Sequence, residues 1–276
     1  MGLYFGNERV KLHAGSYDSH LNHYIAPPIT YLTFSSPNTF SISVSNPLWD
    51  GTLEYSTNKT SWATWDGSEI SGTVLYIRGT DNTKIGGDAS KPWGISGTNI
   101  SCNGNIENLL DYQTVLTGEH PSMADDCYLG MFRDCTGLIT APELPATTLT
   151  YRCYGSMFRN CTNLTASPEL PATTLTTACY LGMFYDCTSL TTIPELPATT
   201  LPAMCYSIMF YNCTGIKFSS TQTSAYTKAY RIPTTGTGTI ASPTSLNNMF
   251  ANTGGTFTGT PSINTTYYLD ESNTIV

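Results

Sequence analysis

CYLGMFYDCTSLTTIPELPATTL, residues 179–201, decides how this chain is read, because close copies of it recur. Four copies begin at Cys127, Cys153, Cys179 and Cys205, each 26 residues after the one before. A fixed period in this range marks a stack of units in which each touches only its neighbours. Such a stack presents a long regular surface and no ready-made catalytic pocket. The expectation is a binding or structural protein rather than an enzyme, with no cofactor.

Within one copy, Cys127, Met131 and Cys135 recur at i, i+4 and i+8, with Tyr128 and Phe132 on the adjacent edge. That spacing predicts one buried helical face. After Cys135 the period changes to two through Leu138, Thr140, Pro142 and Leu144, which predicts a strand and then an extended turn bounded by proline. Each unit is therefore expected to be a short helix plus a short strand, an α/β repeat. Gly and Thr make the helix weak alone, so stacking must support it.

Eight of the nine cysteines occupy two fixed places, at 127, 153, 179 and 205 and at 135, 161, 187 and 213. Within a unit they would lie ~12 Å apart along a helix, too far for a disulfide. The reading is two ladders of reduced, buried, small apolar side chains. Zinc is the competing reading, but no C-x-x-C pair and no His occurs in the copies. Reduced thiols suit folding in cytoplasm.

The stack has expected ends and one interruption. Gly104 to Asp111, with helical spacing of Ile106, Leu109 and Leu110, reads as a cap over the first copy. The fourth copy breaks after Phe218, and the motif returns at Asn247 to Thr253, where Met249 and Phe250 take the places of Met209 and Phe210. The insertion near Ser219–Ser242 carries Tyr226, Tyr230 and Arg231, and such insertions emerge as loops on one face and often bind. Residues 256–276 read as a closing β cap.

Upstream, Tyr31–Phe34, Phe40–Val44, Leu53–Ser56 and Val74–Arg78 alternate and are separated by turn formers, as in Asp50-Gly51 and Asp66-Gly67. These predict a small antiparallel β-sandwich over 26–100. Trp62, Trp65 and Trp93 are read as its core and edge, with a sugar platform as the other possibility. Before it, Leu3-Tyr4-Phe5 and Val10-Lys11-Leu12 around Gly6-Asn7 predict a hairpin too small to stand alone. Residues 1–25 are read as an attachment segment whose contacts are Leu3, Tyr4, Phe5, Val10 and Leu12. The expected organisation is multidomain and β-rich: attachment hairpin at 1–25, β-sandwich at 26–100, and helix–strand repeat solenoid with caps at 101–276.

The formal charge of −8 argues against nucleic acid, which needs clustered Lys and Arg. No apolar run approaches the ~18 residues of a membrane span. The start lacks the pattern of a secretory signal, position 6 is Gly where a myristoylation signal wants Ser or Thr, and no wall-anchoring tail follows Tyr267-Tyr268-Leu269.

The repeat resembles the leucine-rich repeats of the BspA type. Met183-Phe184 through Pro194-Glu195-Leu196-Pro197 carries the likeness, and the segments around Leu53–Thr57, Leu75–Gly79 and Gly104–Asp111 look like the β-domain and opening cap that accompany such repeats. The resemblance covers about 200 residues of the 276. It implies a curved helix–strand solenoid used for adhesion, found on bacterial surfaces and in proteins of gut phages and prophages. The stretch from Tyr4 to Leu12 is similar to the short attachment starts of phage tail and fibre proteins. The resemblance thus implies a virion protein assembled in the host cytoplasm, a tail-tip or tail-fibre adhesin. Its partners would be other virion proteins through the N-terminal segment and a bacterial surface glycan or protein, as a homo-oligomer such as a trimer. The alternatives are a bacterial cell-surface adhesin and a head-fibre or decoration protein.

Where the copies differ is informative about a site. The seventh position runs Arg133, Arg159, Tyr185, Tyr211, residue types favoured at binding hot spots, whereas structural positions are locked. With Tyr226, Tyr230 and Arg231 these form the candidate receptor-binding set. Glu143, Glu169 and Glu195 form one repeat-equivalent row, a solvated rim or a place for bridging cations. His13, His20 and His23 with Asp18 have loose spacing for a metal and lie in the attachment segment. Asp50, Asp66, Asp81 and Asp88 are read as turn caps rather than calcium ligands. No G-x-S-x-G, Walker or Rossmann string is present.

Overall fold

The computed structural model describes residues 31–86, 90 and 92–276, together with the backbone of four short strands before them. Of these, β1 (Tyr4–Phe5) pairs antiparallel with β2 (Glu8–Arg9), and β3 (Ser16–Asp18) with β4 (His23–Ile25). Leu3, Val10 and Leu12, expected in the attachment hairpin, lie outside the described residues.

One sheet follows. Its long strands are β5 (Leu32–Ser43) and β8 (Ile70–Thr80), with β6 (Thr52–Ser56), β7 (Ala63–Thr64), β9 (Gly94–Ser96) and β10 (Ile100–Asn103) around them. Strand β11 (Leu138–Thr140), from the first repeat copy, joins at the far edge, giving the order β11-β10-β5-β8-β6-β7, with β9 also on β5. Leu32, Phe34, Phe40 and Ile42 of β5 are buried. The register of β5 against β8 shifts between Ser35 and Phe40, around Pro37, which has no N–H for the ladder.

The expected β-sandwich is therefore corrected to a single sheet. Its apolar residues do not need a second sheet, because one core cluster runs from Leu32 into the repeats. Phe34 meets Phe132 of the first copy at 6.1 Å between ring centroids. Helix α1 (Asn108–Leu116) buries Leu109 and Leu110 beside it.

The larger correction concerns the repeats, which do not form a helix–strand leucine-rich-repeat solenoid. Among the described residues α1 is the sole helix, and it precedes the copies. Each copy instead begins as a ribbon of consecutive tight turns. In the first, the N–H groups of Leu129, Met131, Arg133 and Cys135 bond back three residues, to the carbonyls of Asp126, Tyr128, Gly130 and Phe132. The intervening N–H groups, of Tyr128, Gly130, Phe132 and Asp134, cross to Cys153, Gly155, Met157 and Arg159 of the next copy. A helix would consume every N–H internally and leave none for a neighbour.

Every fourth residue of the ribbon has a positive φ: Asp126, Gly130, Asp134, then Arg152, Ser156, Asn160, then Ala178, Gly182, Asp186, then Met204, Ile208, Asn212. The repeat length of the ribbon is thus four residues, against 3.6 for a helix. On a helix, Cys127 and Cys135 would diverge by ~80°. Here Cys127, Tyr128, Met131, Phe132 and Cys135 all point inward and are at most 2% exposed.

The strands after the ribbons are short and do not continue from copy to copy. Strand β11 pairs with β10, whereas β12 (Thr192–Ile193) in the third copy pairs with the C-terminal β18 (Thr274–Ile275). Prolines 142, 145, 168, 171, 194 and 197 supply no N–H to a ladder. The ribbon-to-ribbon hydrogen bonds and side-chain stacking carry the register instead. Tyr128, Tyr154, Tyr180 and Tyr206 lie ring on ring at 5.5 to 5.8 Å. Phe132, Phe158, Phe184, Phe210 and Phe250 do the same at 5.3 to 5.6 Å.

The insertion and tail close the stack. Strand β13 (Thr200–Leu201) is paired by β16 (Thr239–Ile240). Strands β14 (Phe218–Ser219) and β15 (Tyr226–Arg231) flank β17 (Thr266–Asp270) in a small antiparallel sheet.

Candidate functional site

The row Arg133, Arg159, Tyr185, Tyr211 follows the buried Phe of each ribbon and precedes a residue of positive φ, which turns it outward. All four are half-buried and lie in consecutive layers. The Arg159 guanidinium sits 4.3 Å from the Tyr185 ring centroid, and Tyr185 stacks on Tyr211 at 4.6 Å with 8° between planes. Arg133 Nε is 3.4 Å from Asp134 Oδ2. The structure therefore joins three of the four into one continuous cation-on-ring stack.

A second row runs beside it. Asn160 donates to Asp134 Oδ1 at 2.9 Å, and Asn212 to Asp186 Oδ1 at 2.7 Å. These residues hold positive φ, which Asp and Asn tolerate better than most side chains.

The insertion residues do not join this row. Tyr226 is half-buried at the start of β15. Tyr230 is 4% exposed and donates its hydroxyl to the Pro194 carbonyl at 3.0 Å. Arg231 donates to the carbonyls of Pro233 and Gly236 and to Asn264 Oδ1. Tyr230 fastens the insertion to the third copy, whereas Arg231 ties the insertion to itself and to Asn264 of the C-terminal segment, so the segment read as a projecting loop is largely laid over the third copy. Of the attachment residues, Tyr4 and Phe5 lie in β1, paired with Arg9 and Glu8.

Glu143, Glu169 and Glu195 are exposed in successive layers. Glu143 and Glu169 border a groove of about 470 Å³ whose walls include Pro142, Pro145, Pro168 and Pro171. Among the described residues no three His, Cys, Asp or Glu side chains gather into a metal-holding group. Asp50 accepts from the Thr83 N–H and hydroxyl and the Lys84 N–H, and Asp66 from Ser68. Asp88 lies outside the described residues, as do His13 and His20.

The tryptophans divide. Trp65 and Trp93 are buried, packed edge to face at 5.1 Å. Trp62 is half-buried under the Arg78 guanidinium, 4.0 Å from its ring, and Arg78 also covers Tyr112 at 4.5 Å and bonds Glu54. One face of the Trp62 ring is thus taken by the protein's own cation.

One titratable pair escaped the sequence reading. The Glu107 side chain, 1% exposed, meets Nδ1 of the half-exposed His120 at 2.8 and 3.0 Å. Burial raises the Glu107 carboxyl above its ordinary range, opposed by the His120 contact. Nothing in the spacing of Glu107 and His120 signals this pairing. The nine thiols are all unbridged and buried. Burial pushes Cys135 and Cys153 up to about 12.

Comparison of the chain with protein-family models, with curated proteins and with solved structures finds no match in any of the three.

Proposed function

We propose that this chain is a phage virion structural protein, a tail-tip or tail-fibre adhesin that meets a bacterial surface receptor along its repeat stack. The observation that carries the reading is the aligned outward stack Arg159–Tyr185–Tyr211 on a scaffold whose inward Cys, Tyr, Met, Phe and Cys positions repeat unchanged through the four copies. Arg and Tyr are enriched where binding energy concentrates. Here their rotamers are already fixed by one another, which lowers the entropy lost on contact. The likeness of the copies to BspA-type adhesin repeats and of residues 4–12 to phage attachment starts supports the same reading. On it, the N-terminal segment docks onto other virion proteins, and several copies per particle raise a weak single contact to useful avidity.

The test displays the full chain in many copies on beads and counts beads retained by bacterial cells. The wild type should be retained and Arg159→Ala/Tyr185→Ala should not, with the two proteins melting at similar temperatures. Equal retention of both would leave a purely structural virion role as the better reading.

A further inference from the structure

Both outward rows change at the same layer. The ring row passes from Tyr211 to Ala251, since Asn212 N–H bonds the Ala251 carbonyl at 2.8 Å and Phe210 stacks on Phe250 at 5.6 Å in the same register. Tyr211 thus carries a ring on the face toward Tyr185, while on the other face the chain offers a methyl group in the place of a ring. The amide row passes from Asn212 to Asn252. Its carboxamide is exposed and, unlike those of Asn160 and Asn212, has no hydrogen-bond partner among the described residues. Beyond Ala251 the next layer is the segment reached by the bonds Phe250 N–H to Gly259 O and Asn248 N–H to Thr260 Oγ1. The result is a notch one layer wide, with an aromatic face on one side and an unspent amide, both donor and acceptor, next to it.

We infer that this notch is a saccharide subsite: a pyranose with equatorial substituents lays its apolar C–H face on the Tyr211 ring and hydrogen-bonds the Asn252 carboxamide. The chemistry selects this class because one flat apolar face must be satisfied together with an adjacent donor–acceptor pair. A lone guanidinium would satisfy the ring and, being donor-only, at most the amide's oxygen. An aromatic side chain would leave the amide unused. The inference rests on the adhesin reading for its biological sense, but the subsite can stand or fall separately.

The full chain is titrated with cellotetraose and with the tetramer of N-acetylglucosamine, followed by chemical-shift changes. Binding is expected on the order of millimolar for at least one, as suits a shallow single contact. Tyr211→Ala should weaken it about tenfold. Ala251→Tyr, which continues the ring row, should abolish it without lowering the melting temperature, and so answers the objection that Tyr211→Ala merely loosens the fold. Binding unchanged in Ala251→Tyr, no binding of either tetramer, or binding of methylguanidinium in their place would each overturn the subsite. If Ala251→Tyr loses the tetramers while bead-displayed protein still holds cells, the adhesin reading stands and this notch is its saccharide subsite without being the main cell contact. If tetramers bind and no cells are held, the subsite stands and the adhesin reading fails.

Discussion

The Cys187 thiol donates to the carbonyl oxygen of Phe158 at 3.0 Å, across the boundary between the third copy and the second. Cys161 meets Phe132 and Cys213 meets Phe184 in the same way, at 3.0 and 2.9 Å. The carbonyl of Phe158 already accepts the Cys161 N–H, so the thiol uses the remaining lone pair. This explains why the ladder is Cys and not Ala: the site wants a small apolar side chain that also carries a weak donor.

Thiol reactivity should follow. Only the thiolate attacks, and burial pushes Cys153 and Cys205 up to about 12. An aromatic disulfide reagent at mildly alkaline pH should label none of the nine cysteines in the folded protein and all nine after unfolding in guanidinium. Rapid labelling of even one ladder position in the folded state would contradict the packing described.

Gly182 separates the turn ribbon from a helix by the sign of one substitution. Its φ is +57°, and an added Cβ would meet Ile208 Cδ1 at 3.5 Å, an ordinary contact. In a helix Gly182→Ala would stabilise by up to ~1 kcal/mol. In the ribbon it places a side chain in the left-handed region and should cost roughly 1–2 kcal/mol. Denaturant unfolding of the two proteins decides the sign.

That comparison also shows what was legible. The 26-residue period, the inward set Cys, Tyr, Met, Phe, Cys and the outward seventh position could all be read from the chain, because they depend only on which positions are locked. The backbone path could not be read from apolar spacing, since i, i+4, i+8 fits a helix for two turns as well as a four-residue ribbon. The signal that would have separated them is the polar residue ending each ribbon: Asp134, Asn160, Asp186, Asn212 and Asn252, all at positive φ. Asp and Asn recurring there mark a left-handed residue, and no helix interior wants one. The single sheet in place of a sandwich, and the burial of Tyr230, depend on contacts with segments far along the chain, which local alternation does not encode.

Glu107 gives a pH dependence with a definite sign. Its carboxyl is raised by burial above the ordinary 4.5, so the folded state holds this proton more firmly than the unfolded chain does. The contribution is fully present below the ordinary value and is lost as pH rises through the folded value. His120 bonds the carboxylate and works against the loss, and the hydroxyls of Tyr128 and Tyr154 are close enough to feel the charge. Between about pH 4 and pH 7 the melting temperature of Glu107→Gln, relative to the wild type, should therefore rise with pH. A constant difference across that range would remove Glu107 as the cause.

The tyrosine ladder makes opposite predictions for two chemically identical changes. Tyr128 donates its hydroxyl to the Ile106 carbonyl at 3.4 Å, in the cap that covers the first copy. Tyr206 is fully buried at the other end, and its hydroxyl has no hydrogen-bond partner among the described residues. Both rings stack on a neighbouring Tyr, and Phe would stack equally well. Removing the Tyr128 hydroxyl leaves a buried carbonyl with one acceptor site unused and should cost about 0.5–1.5 kcal/mol. Removing the Tyr206 hydroxyl deletes a desolvated group that gains nothing in return, so Tyr206→Phe should be neutral or stabilise by about 1 kcal/mol. Urea unfolding of the two single variants and the double variant checks both signs. The effects should add, because the residues are three layers apart and share no partner. Destabilisation by Tyr206→Phe equal to that by Tyr128→Phe would mean that the inner hydroxyls are hydrogen-bonded along the whole ladder.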